Sequence, residues 1–229
     1  MTLQVGADRV VIWRIKPPHS VNSIESLLVN EELDWVRNEA QVVRAAARAA
    51  LRQLLGDAIG LEATQVEFLR QCRHCGDARH GKPSVLNSPF RFSVSHTSGL
   101  GLIAISMTSE VGVDLEFRKR ERNDLQHRLR SKVLTDFEQS RVDNLEPSTR
   151  EQAFLRLWTS KEAVSKADGR GLMLGLDQIE VGEALSLATF QVQVDDTVWT
   201  VQPIDLESCH IGALATSRPA IVELHNWLW

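Results

Sequence analysis

The sequence predicts an α+β protein, and three observations carry that reading. Apolar residues recur at helical spacing over two long segments, 31–55 and 149–168. Around them lie short runs rich in β-branched and aromatic residues, some alternating strictly between apolar and polar as half-buried strands do. The order of helix and strands occurs twice, so 229 residues suit one large domain or two small ones.

With 43% apolar and 24% charged residues, and only 13 Gly and 7 Pro, the composition is that of an ordered chain able to build a core without disulfides or a structural metal. The 26 basic and 30 acidic residues leave a net charge of -4. That balance excludes a uniform basic field for nucleic acid, so any bound anion must be met by local clusters. Asp8 and Arg9 stand where a signal peptide would be uninterruptedly apolar, and the longest apolar stretches, such as residues 99–107, are far below the roughly 18–20 residues that span a bilayer. With an odd three cysteines, these features lead us to expect a cytoplasmic protein with no membrane contact.

In chain order, Val10 to Trp13 lack alternation and read as a strand buried on both faces. From Glu31 to Leu55, Val36, Val43, Ala47, Ala50, Leu51, Leu54 and Leu55 mark one long helix or two consecutive ones, with Gly56 at the C-terminal cap. Arg44, Arg48 and Arg52, spaced by four, form a basic stripe that is either a solvated face or an anion contact. Val66–Leu69, Phe92–Ser95 and Leu100–Met107 read as strands. In Val111–Glu116, alternation sets Val111, Val113 and Leu115 on one face and Asp114 with Glu116 on the other, the two acids about 6–7 Å apart at their backbones. An amphipathic helix is predicted from Asn123 to about Val142, burying Leu125, Leu129, Val133 and Phe137. A second, from Thr149 to Asp168, buries Phe154, Leu155, Trp158 and Val164 and closes at Gly169. On it, Glu162 and Lys166 share a face. Residues 179–229 read as antiparallel strands.

Three features have chemical potential in this order: His96 at a strand end, the Asp114/Glu116 pair, and Lys161-Glu162 with Lys166 one turn on. Each alone has a plainer reading, as a capping histidine or a solvated face. An oxygen-rich carboxylate site suits Mg²⁺, which keeps several waters and is commonly completed by a substrate's phosphates.

Together these blocks resemble the 4′-phosphopantetheinyl transferases of the Sfp type. The resemblance rests on Gly81-Lys82-Pro83, on Phe92-Ser-Val-Ser-His-Thr97, on Gly112-Val-Asp-Leu-Glu116, and on Leu157-Trp-Thr-Ser-Lys-Glu-Ala163 continuing through Lys166 to Gly169-Arg-Gly-Leu172. It implies two pseudo-symmetric subdomains, residues 1–108 and 109–229, each a helix packed on an antiparallel sheet, with the active site in the cleft between them. The implied reaction moves the phosphopantetheine arm of coenzyme A to a serine of an acyl or peptidyl carrier protein, releasing adenosine 3′,5′-bisphosphate. By the resemblance Asp114, Glu116 and Glu162 hold Mg²⁺, with Mn²⁺ as a substitute. Glu162 also accepts the serine proton, and Lys166, with help from Lys161, faces the pyrophosphate. Ser95 and His96 meet a phosphate, Lys82 and Pro83 lie at the adenosine end, and Arg44 or Arg48 meets the 3′-phosphate. Two fused halves imply a monomer, and a chain of this form implies secondary-metabolite or siderophore biosynthesis.

Two segments stand beside this reading. Cys72, Cys75, His74 and His80 offer a zinc knuckle, but the second half of a zinc pair is missing, which favours an ordinary loop. Arg118, Lys119, Arg120 and Arg122 are either a solvated stretch or the docking patch for an acidic carrier. The rivals from other classes are a non-catalytic module that binds coenzyme A or a carrier protein, and a zinc-binding interaction protein.

Overall fold

The computed structural model describes residues 5–6, 8–70, 76–77, 81–118, 124–206 and 209–229. The chain divides into two units, one of residues 1–109 with 220–229 and the other of residues 110–219. The last ten residues, however, belong to the first unit and not to the second.

In the first unit, strand β1 (Arg9–Ile15) is followed by helices α1 (Asn22–Glu25), α2 (Asn30–Val36) and α3 (Val42–Ile59). The predicted 31–55 helix is thus two helices, divided by a short 3-10 turn at Glu39–Gln41 whose N-cap, Asn38, accepts from the Ala40 amide. Gly56 does not end α3. The helix runs on to Ile59 and is capped by Gly60, whose φ of 75° suits the left-handed cap that a side chain would resist. A short ribbon follows, β2 (Phe68–Arg70) with β3 (Pro83–Val85), then β4 (Arg91–Thr97) and β5 (Leu100–Ser106). The larger sheet has the order β10-β1-β5-β4, where β10 (Ile221–Asn226) closes the chain. β1 is therefore central, which is why its sequence is apolar without alternation. β10 runs parallel to β1, from Arg9 opposite Ile221 to Arg14 opposite Asn226. That pairing draws the C-terminus back to the first unit and makes the sheet mixed, where antiparallel strands alone were expected.

α3 lies on this sheet through small residues. Ala45, Ala46, Ala49 and Ala50 are buried in one cluster with Trp13, Ile15, Phe92, Ile103 and Ile105. At Gly101 of β5 a methyl group would sit 3.2 Å from the Ala47 Cβ, so helix and strand are in close contact there.

The second unit begins with β6 (Val111–Phe117), then α4 (Asp124–Val133), α5 (Asp136–Asp143) and α6 (Pro147–Asp168). The single amphipathic helix expected to Val142 is broken after Val133. Thr135 caps α5, accepting from the Glu138 amide at 3.2 Å, while Glu138 accepts from the Thr135 amide at 3.0 Å. The break turns Phe137 outward, 63% exposed, against its expected burial. Beyond α6, three 3-10 turns lead into β7 (Phe190–Val194), β8 (Thr197–Ile204) and β9 (His210–Thr216). The sheet order is β6-β9-β8-β7, antiparallel throughout. Phe154, Leu155, Leu157 and Val164 of α6 cluster with Val192, Trp199, Val201, Ala213 and Ala215 of the sheet. Trp158 is only partly buried, packed edge-on against Phe154 at 5.6 Å. Each unit is thus a helix on a four-stranded sheet, an α+β architecture.

Candidate active site

The acidic strand becomes a site because of one missing side chain. Gly112, Asp114 and Glu116 occupy one face of β6, and α6 lies across that face. A Cβ on Gly112 would stand 2.0 Å from the Ala163 carbonyl oxygen and 2.4 Å from the Ala167 amide nitrogen. Only glycine therefore permits α6 to rest its backbone on the strand. The contact puts the turn from Glu162 to Lys166 beside the two acids.

Lys166 Nζ donates to Asp114 Oδ1 at 2.6 Å, with Asp114 only 4% exposed. Three carboxyls crowd this ammonium. Burial, then the Asp114 charge, push the Glu116 carboxyl up to about 7; Glu162 adds to the rise and Lys166 opposes it. Burial, then Asp114, likewise raise the Glu162 carboxyl, again with Lys166 opposing. Asp114, Glu116, Glu162 and Lys166 thus share one electrostatic field with more negative charge than one ammonium neutralises. Among the described residues no three His, Cys, Asp or Glu side chains converge as a ready metal cage.

Lys161 does not join them. Its ammonium is fully buried, 2.5 Å from Glu138 Oε2, and donates to the Leu176 carbonyl at 2.9 Å. Glu138 in turn accepts from the Val181 amide at 2.7 Å. Lys161 is committed to holding α6 against α5 and the 176–181 turn, so the expected help at a pyrophosphate is withdrawn. The one-residue offset from Glu162, about 100° around the helix, is the reason. Sequence reasoning missed Glu138, although Thr135-Asp-Phe-Glu138 is a readable capping box.

In the first unit, Ser95 is buried and His96 exposed at the end of β4, with Gly101 opposite His96. Lys82 and Pro83 are half-buried at the start of β3. The arginine stripe resolves into three different roles. Arg52 is buried, donating to both Glu32 oxygens at 2.7 and 3.1 Å and to the carbonyls of Ala63 and Val66. It is structural, neither solvated nor free for an anion. Arg48, 20% exposed, lies 4.4 Å over the Phe68 ring and 3.4 Å from Glu32. Arg44 is exposed, stacked 3.9 Å over Trp35. Burial lowers the Arg48 pKa; Glu32 opposes this, while Arg52, Arg70 and Arg44 add to it. Arg48 and Arg52 thus share the Glu32 carboxylate, and the charges of Arg44 and Arg70 reach Arg48 as well. Arg70 was missed because it reaches this cluster from β2, an element whose approach to α3 leaves no periodic trace.

Cys72, Cys75, His74 and His80, and Lys119, Arg120 and Arg122, lie outside the described residues. Arg118, which is described, donates to Gln152 at 3.5 Å.

A carboxylate cluster of one buried and two half-buried acids with a paired ammonium, set where a helix crosses a sheet, marks an enzyme-like site by its perturbed acids. The family model described as 4′-phosphopantetheinyl transferase superfamily matches residues 110–221, the whole of the second unit and two residues beyond it. The chain is 31% identical over 190 residues to the 4′-phosphopantetheinyl transferase HetI of Nostoc sp., covering 78% of this chain and 76% of that protein. It is 29% identical over 135 residues to the 4′-phosphopantetheinyl transferase Sfp of Bacillus subtilis, 58% of each chain. To the holo-[acyl-carrier-protein] synthase of Jannaschia sp. it is 32% identical over 121 residues, 51% of this chain and 77% of that one. The chain belongs to the 4′-phosphopantetheinyl transferase superfamily, and is an enzyme of that class. No described helix is long and apolar enough to cross a membrane.

Proposed function

We propose that this chain is a Mg²⁺-dependent enzyme of the Sfp type, transferring the 4′-phosphopantetheine arm of coenzyme A to a serine hydroxyl of an acyl or peptidyl carrier protein. The observation that carries the reading is the Lys166–Asp114 contact with Glu116 and Glu162 in the same field.

The donor set fits a hard divalent cation. All three acids offer oxygen, and burial, then the negative charge of Asp114, makes Glu116 and Glu162 hold their protons more tightly than usual. Asp114, Glu116 and Glu162 would hold Mg²⁺, or Mn²⁺ in its place. Bound, the ion supplies charge neutralisation at the pyrophosphate oxygens. The chain's own residues do the rest. Glu162, whose carboxyl burial and the Asp114 charge raise above its ordinary value, accepts the serine proton. The serine oxygen forms its bond to the β-phosphorus as the bond from that phosphorus to the bridging oxygen breaks, and the electron pair leaves with adenosine 3′,5′-bisphosphate. Lys166 faces the departing charge. Ser95 and His96 are assigned to a phosphate, Lys82 and Pro83 to the adenosine end, and Arg44 and Arg48 to the 3′-phosphate. The excess positive charge around Glu32 supports that last assignment. Balanced charge on the chain as a whole suits a cytoplasmic monomer acting on soluble carriers in secondary-metabolite or siderophore assembly.

The test incubates the protein with Mg²⁺, coenzyme A and apo carrier proteins and reads the phosphopantetheine adduct by mass spectrometry. Wild type should load a carrier, and folded Asp114→Ala and Glu162→Ala should not. No adduct on several carriers would instead favour a binding module that has lost the chemistry. Full loading by Glu162→Ala would remove Glu162 from the reaction.

A further inference from the structure

The second unit holds a pocket of about 380 Å³ whose lining includes none of the residues assigned above to the transfer. It lies where the N-terminal half of α6 crosses the β8–β9 end of the sheet, and its volume is that of a small-molecule site. Arg156 of α6 forms one wall, and Asp205 stands among the lining on the β8–β9 connection. Leu187, Ile204, Leu206 and Ile211 supply apolar surface.

Arg156 is the unusual member. It makes no side-chain hydrogen bond or ion pair among the described residues, and burial alone, with no opposing carboxylate, lowers its pKa. Of the other second-unit arginines with described side chains, Arg218 is exposed to solvent and the rest are committed: Arg118 to Gln152, Arg130 to Asp143, Arg141 to Gly182, Arg150 to Leu145 and Asp143, and Arg170 to Asp168 and Asp195. A partly desolvated guanidinium with no partner beside apolar surface gains most from an anion that also brings apolar surface. Asp205 lines the same pocket without pairing to Arg156, and its charge disfavours a dianion.

We propose that this pocket binds a small aliphatic monocarboxylate, its carboxylate on the Arg156 guanidinium and its chain against Leu187, Ile204 and Leu206. The site is distinct from the acid cluster. Arg156 precedes Glu162 by six residues, about 9 Å along the helix. The two are nevertheless neighbours, because Ile211 is the cross-strand partner of Glu116.

Isothermal titration of the full chain with octanoate, and with 1-octanol as the uncharged control, tests this. Octanoate should bind one-to-one, and Arg156→Gln should weaken it at least tenfold while leaving octanol unchanged. Arg156→Lys, which keeps the charge but loses the planar fork, should fall between them and serves if the glutamine variant is unstable. Leu206→Trp, filling the pocket, should abolish binding at an unchanged melting temperature. Equal octanoate affinity in wild type and both Arg156 variants, no binding at millimolar octanoate, or displacement of octanoate by coenzyme A would each overturn the proposal. The transfer assay above fails or succeeds independently of this titration.

Discussion

Replacing Gly112 by alanine tests how the site is assembled. The added Cβ would meet the Ala163 oxygen at 2.0 Å and the Ala167 nitrogen at 2.4 Å, where ordinary contact begins near 3.4 Å. Both obstacles are helix backbone, which cannot rotate aside as a side-chain tip can. α6 must then move off β6 by about 1.4 Å, enough to open the 2.6 Å Lys166–Asp114 contact to about 4 Å. Overpacking of this kind costs about 1–3 kcal/mol and sometimes more, and a misplacement of about 1 Å in a reacting constellation costs roughly 100-fold in rate. Urea melts of Gly112→Ala should show the stability loss, and carrier loading should fall by about two orders of magnitude. Gly60→Ala is the control. At φ 75° it strains the backbone by about 1–2 kcal/mol, yet a Cβ there meets nothing within 4 Å and the acids are untouched. Its melt should shift while loading stays at the wild-type rate. A Gly112→Ala protein with wild-type stability and loading would refute the claim that this glycine sets the helix against the strand.

Three further outcomes follow from the same geometry. Lys161→Met leaves Glu138 charged and buried without its counter-ion, and should cost about 3–5 kcal/mol in a denaturant melt. Adding Glu138→Gln should recover much of that, since the amide oxygen can still accept from the Val181 amide, and no recovery would deny the pairing. Glu32→Ala removes the carboxylate shared by Arg48 and Arg52, and should destabilise the protein by about 3 kcal/mol or more, read by thermal melt. The metal-free protein should lose stability as pH rises. Glu116 keeps its proton to about 7 when folded, against 4.5 ordinarily, so the folded state binds the extra proton between those values and weakens through that window. Added Mg²⁺ should flatten the profile, and stability rising with pH from 4.5 to 7 in the metal-free protein would contradict the crowding of the three acids.

What the sequence shows and hides about this protein depends on whether a signal is local. Alternation in Val111–Glu116 and the i, i+4 spacing of Glu162 and Lys166 are local, and each element appears where its pattern puts it. Phe137 is a local pattern that misleads: it continues an apolar stripe, but the Thr135 cap restarts the helix and rotates the stripe away. The parallel β10–β1 pairing joins residues more than two hundred positions apart, and no periodicity reports such a contact. The arginine stripe shows the same limit in its chemistry. Arg44, Arg48 and Arg52 are equivalent by spacing, yet Glu32, Phe68 and Arg70, brought in from other elements, make one exposed, one stacked and one structural.

The same distinction explains how a chain of net charge -4 can carry a charged site. Its committed ions are those with partners reached across the fold, Lys161 with Glu138 and Arg52 with Glu32, and burial there makes each pair a structural requirement. Among the described residues, Lys166 is the cation that opposes the raised carboxyls of Glu116 and Glu162 beside Asp114, and Glu32 is the carboxylate that opposes the charges of Arg44, Arg52 and Arg70 at Arg48. Neither imbalance is visible in the total, because each offsets the other. Proteins do not hold such surpluses for stability, since like charges drawn together cost free energy. Under the proposed function, the acid surplus in the second unit would be met by the divalent cation and the basic surplus in the first by the 3′-phosphate of coenzyme A.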